Sequence, residues 1–120
     1  MADRALLISW GAAVRGREER GLEVFNEALG LLGRMQQEGR IEGFDVCLLE
    51  PNGDLAGFVL IRGSAEQIDA VRIDDDFRRS TADATLIVDH LRHIEGYTNE
   101  GVARQIATYQ EAIAKVPQRA

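Results

Sequence analysis

Only two histidines occur in this chain of 120 residues, His90 and His93, and imidazole is the side chain whose charge changes near neutral pH. Their spacing of three puts them on opposite faces of a regular strand, so they form no joint metal site there without a bulge. No bound metal is expected. Either one, facing a cavity, is a candidate general base or an axial haem ligand. Arg62 and Asp45 are the charged members of an otherwise apolar strand surface. The guanidinium fork of Arg62 suits a carboxylate ligand, and an ion pair with Asp45 is the competing use of the same group. Trp10 and Tyr97 end strand-like runs. Trp10 can line a pocket or fill a core or interface, and the Tyr97 hydroxyl can orient a ligand. The single cysteine, Cys47, rules out an internal disulfide and a Cys-rich zinc site, and it reads as a small buried hydrophobe.

Other features carry less chemistry. Gly11 to Gly16 joins a strand to a helix but lacks the Gly-Lys-Ser/Thr ending of a phosphate loop and the dinucleotide pattern. Asp74 to Asp76 reads as the acidic start of a helix rather than a metal cluster. The formal net charge of -6 argues against nucleic acid, whose phosphates call for clustered Lys and Arg. The first apolar run, Ala5 to Val14, is interrupted by Ser9 and Trp10 and has no basic leader. No run approaches the ~20 apolar residues of a membrane span. A cytoplasmic location, with no membrane partner, is the expectation.

The elements that must position these residues follow from periodicity. Ala5 to Gly11 reads as a strand, and Arg17 to Glu38 as a helix, with Leu22, Phe25, Leu29 and Leu32 at helical spacing, Gly16 as a possible N-cap and Gly39 as its C-terminal stop. Phe44 to Glu50 and Leu55 to Arg62 flank Asn52-Gly53, the strongest short hairpin signal. That turn pairs Leu48 with Gly57, Val46 with Val59 and Phe44 with Ile61. One face then carries Phe44, Val46, Leu48, Leu55, Val59 and Ile61, assigned to the helices; the other carries Asp45, Cys47, Leu49, Ala56, Phe58, Leu60 and Arg62. Ser64 with Gln67 forms a capping box for a broken helix that restarts at Asp74. Ala84 to Tyr97 reads as a fourth strand, and Glu100 to Val116 as a last helix, integral to the fold, whose apolar stripe of Val102, Ile106, Tyr109, Ile113 and Val116 is expected to be buried.

Strand, helix, hairpin, broken helix, strand, helix predicts one α+β domain over residues 1–120: a ferredoxin-like βαββαβ sandwich with an added C-terminal helix. With the hairpin and the block Ile61-Arg62-Gly63-Ser64, the chain resembles the dimeric α+β barrel superfamily, and its small bacterial members above all. The resemblance implies a homodimer packed through its sheet faces and a ligand cavity. It does not transfer a reaction.

Three readings of function follow. The first is a homodimeric small-molecule-binding or assembly protein without a cofactor. The second is a cofactor-free enzyme of monooxygenase or isomerase type, with His90 or His93 moving a proton while Arg62 holds an organic acid or aromatic substrate. The third is a haem-handling protein. Any pocket is expected on the sheet face opposite the helices, near Arg62 and one of the two histidines, His90 or His93.

Overall fold

The computed structural model describes residues 2–119. Its elements run β1 (Arg4–Trp10), α1 (Glu18–Gln37), β2 (Gly43–Leu48), β3 (Gly57–Gly63), α2 (Ala65–Ile73), α3 (Asp75–Thr85), β4 (Arg92–Tyr97) and α4 (Glu100–Ala114). The strands form one antiparallel sheet in the order β2-β3-β1-β4, the ferredoxin-like arrangement expected from the element order.

The hairpin register is the one the turn implies: Leu48 opposes Gly57, Val46 opposes Val59 and Phe44 opposes Ile61. Asn52 closes the connection through its side chain. Its amide donates to the carbonyls of Glu50 and Leu55, and its Oδ1 accepts the N–H groups of Asp54 and Leu55. The covered face of the sheet sends Leu6, Val59 and Ile61 into a core with Leu31, Leu32 and Met35 of α1, Ile68 and Val71 of α2 and Phe77 of α3. The Ser64–Gln67 capping box is present, at 3.1 and 2.9 Å, and Asp74 caps α3 by accepting the N–H of Phe77 at 2.9 Å.

Four expectations are corrected. The fourth strand does not begin at Ala84. Residues 84 and 85 finish α3, Val88 makes a lone bridge to Ala13, and β4 starts only at Arg92. His90 lies between them at φ 56°, a left-handed backbone that breaks the strand. The run Leu86-Ile87-Val88 has strand composition, but a helix already capped at Asp74 carries through to Thr85. Gly16 is not the N-cap of α1, which is Arg17; Gly16 stands at φ 87° in the preceding turn. On the face assigned to the helices, Val46 and Leu48 remain 39% and 67% exposed, because β2 is an edge strand that α1 leaves uncovered. The stripe of α4 is also exposed along its whole length.

Candidate functional site

Strand parity decides which side chains can meet. In β1, Leu6, Ile8 and Trp10 point to the helix-covered side, and Ala5, Leu7 and Ser9 to the open side. Pairing carries this to β4: His93 opposes Ile8 and Glu95 opposes Leu6, so both face the helices, whereas Arg92 and Ile94 share the open face. Glu95 is held there by Arg72 of α2 at 3.0 Å.

On the covered side lies an apolar cavity of about 440 Å³. The C-terminal half of α1 packs into the core through Leu31, Leu32 and Met35, while its N-terminal half stands off the sheet, braced by α3. The space between becomes the cavity. Its floor is Ile8, Trp10 and Val59 of the sheet, and its roof is Leu22, Phe25, Ala28 and Leu29 of α1. Phe77, Thr81 and Ala84 of α3 close one side, with His93. The mouth lies at the β2 edge, where Leu22 and Leu48 line the cavity yet stay 66% and 67% exposed. Gly57 is what lets the Trp10 ring lie across the sheet: a Cβ there would come within 2.9 Å of the indole and 2.7 Å of the Cys47 carbonyl. The indole meets the Phe25 ring at 5.8 Å, tilted by 58°.

The electrostatics of this cavity are sparse. No Lys or Arg lines it, and Glu18 is its one carboxylate. His93 is half-buried, with its ring 5.5 Å from that of Phe77. Burial, and then the nearby Arg72 guanidinium, push its pKa below the ordinary imidazole value. The ring is therefore neutral at pH 7, with one nitrogen able to donate and the other to accept. Ser80 and Thr81 add hydroxyls to the same wall.

The other candidates fall elsewhere. His90 is exposed in the turn before β4. Arg62 and Asp45 do come together, as an ion pair on the open face of the sheet, across from the cavity. Tyr97 lies at the end of β4 with the Arg4 guanidinium 4.7 Å above its ring. Cys47 is half-buried on the open face. Of the sequence candidates, Trp10 and His93 share a cavity, and that cavity is on the covered side, not on the open face where a pocket was expected. Sequence reading missed Phe25, Phe77 and Thr81 as wall residues. The parity of β1, with large groups at Leu6, Ile8 and Trp10 and small ones at Ala5 and Ser9, is the signal that would have placed Trp10 with the helices. Among the described residues, no three His, Cys, Asp or Glu side chains are grouped to hold a metal, and no helix is long and apolar enough to cross a membrane.

No protein-family model matches the chain, and no curated protein matches it. Solved structures do resemble it. A dimeric protein of unknown function and ferredoxin-like fold from Bacteroides fragilis NCTC 9343 superposes with a TM-score of 0.59 at 9% identity, over 79% of this chain and 95% of its own. A protein from Chloroflexus aurantiacus J-10-fl, provisionally assigned as an antibiotic biosynthesis monooxygenase, gives 0.55 at 14% identity, over 80% of this chain and 93% of its own. At such identities the likeness is one of fold: the chain is a ferredoxin-like α+β protein.

Proposed function

We propose that the chain is a homodimeric small-molecule-binding protein whose ligand, an uncharged and largely apolar compound, sits between α1 and the sheet. The observation that carries this reading is the cavity of about 440 Å³ under α1. Its size falls within the range of ligand sites, and a few polar groups in an apolar wall is the usual build of such sites. A wall without Lys or Arg has nothing to neutralise an organic acid, and its one carboxylate, Glu18, is exposed and already accepts the Gly16 N–H, so an uncharged ligand fits best. The dimer is supported by the apolar open face of the sheet and by the dimeric state given for the Bacteroides protein.

Trp10 is the only tryptophan of the chain and it lines the cavity, so its fluorescence reports occupancy. A neutral apolar dye such as N-phenyl-1-naphthylamine should quench it saturably, with energy transfer to the dye. Compounds extracted from natively purified protein should be uncharged and should displace the dye. An unsaturable, purely collisional response would overturn the reading.

A second reading, cofactor-free chemistry on the bound compound, is favoured by the neutral imidazole of His93 in the wall. Its test is separate. His93→Gln should keep dye binding while abolishing any oxygen uptake or isomerisation found with a panel of phenolic compounds. Equal turnover in the variant would remove His93 as the base.

A further inference from the structure

α4 turns the wrong side to its own protein. Gly101, Arg104, Gln105 and Thr108 face a polar groove shared with Asp3, Arg4, Ala65 and Tyr97. The apolar stripe lies roughly a third of a turn round the helix from that side. Ile106 is 52% exposed and Tyr109 65% exposed, and Val102, Ile113 and Val116 are open as well. A helix packed on its own core shows the reverse arrangement.

The helix is nevertheless firmly rooted. Thr98 and Asn99 bond to the carbonyls of Ala2 and Asp3, and Arg104 pairs with Asp3. Gly101 packs so closely on the Asp3 carbonyl that a Cβ would overlap it. From this base α4 projects. The radius of gyration is 17.0 Å, against roughly 14 Å for a compact chain of this length.

We propose that α4 is an arm that seats its stripe on a second copy of this chain, along the rim of the partner's open sheet face. The inference rests on the dimer proposed above and says how that dimer is closed. Area is the argument. Four strands of six or seven residues make a face of about 400 Å² in projection, so two faces together cover about 800 Å². Accessible surface exceeds its projection, so the two faces alone reach only the small end of the ~1,200–2,000 Å² of a stable interface. A stripe along a helix of 15 residues adds about 220 Å² in projection, and the partner loses as much again. With both arms engaged the projected total roughly doubles, to about 1,700 Å², which carries the interface well into that range. A two-fold axis satisfies both arms at once and leaves no stripe open for further growth. Charge favours a second copy over a lipid surface: Glu100 and Glu111 offset Arg104 and Lys115, whereas surface-bound helices carry an excess of Lys and Arg.

The test is a photo-crosslink in the full chain. Tyr109 is exposed, so Tyr109→benzoylphenylalanine should leave the fold intact. Isotope-labelled and unlabelled protein are mixed, allowed to exchange and irradiated. The expected product has two chain masses, mixed-label crosslinks, and attachment in the peptides bearing Leu60 or Ile94. Ile106→Asp should also raise the dimer dissociation constant at least tenfold. If the wild type is a monomer, the dimer reading and the arm fall together. If it is a dimer but crosslinks form within one chain, on lipid of added vesicles, or not at all, the arm alone is overturned.

Discussion

His93 and Asp74 show how single groups couple this fold to pH. His93 is held below its ordinary value of about 6.5 by burial and by Arg72. The unfolded chain therefore takes up this proton first, and stability declines as pH falls from the ordinary value through the lowered one. Above pH 7 the group contributes no slope. Comparing denaturant midpoints at pH 7.5 and 5.5, His93→Gln should flatten this decline. An equally steep acid limb in the variant would show that other groups cause it. Asp74 is held below the ordinary carboxylate value by the N–H of Phe77 and then by Arg40, 2.6 Å away. Its contribution is complete at neutral pH and fades only below about pH 4. Asp74→Ala at pH 7 should cost about 1–2 kcal/mol, the worth of an N-cap, and read as a lower midpoint in urea. The Asp45–Arg62 pair was legible because opposed strand residues share a face. The place of His93 was not, because the alternation Arg92, His93, Ile94, Glu95 has no polarity that tells covered from open. Only its pairing with β1 settles that.

At the scale of elements, short-range chemistry was readable where a local bond enforces it. The capping box, the Asn52 turn and the Gly39 stop of α1 at φ 73° all lie within a few residues of the groups they satisfy. The start of β4 was not readable, since a β-branched run is held in a turn by partners far along the chain, Ala12 and Val14. Nor was the standoff of α1: its stripe is continuous in the sequence, and the sequence carries no sign that the first half covers space while the second half covers core. That standoff makes two expectations. Ala28→Leu, in the cavity roof, should fill part of it, raise the melting temperature by a few degrees and weaken dye binding at least tenfold. Unchanged binding would mean the dye sits elsewhere. Gly101→Ala, at the root of α4, should destabilise the chain by more than about 1 kcal/mol, although alanine favours a helix in general. Wild-type stability there would show that the root yields easily.

At the scale of the molecule, the dimer is the expectation that most separates this chain from a monomer of the same topology. Three helices cover one face of the sheet, and α4 does not turn back over the other. The open face joins Leu7, Phe58, Leu60, Cys47 and Ile94 across all four strands, with Arg62 and Asp45 neutralising one another at its end. A contiguous apolar surface of this extent marks an interaction site, and two copies related by a two-fold axis close it without open-ended growth. Double-sided apolar strands made this face visible in the sequence, because a strand apolar on both sides must be covered on both. Leu60→Lys sets a charge near the middle of the face and leaves the core side of β3 untouched. Burying that charge without a partner costs more than a dimer of moderate size can offset, so light scattering at micromolar concentration should fall from two chain masses to one. Gln36→Lys, exposed near the end of α1, is the control and should leave the mass at two. A wild type of one chain mass would refute the dimer. A Leu60→Lys protein that stays folded and of two chain masses would move the contact off the sheet face.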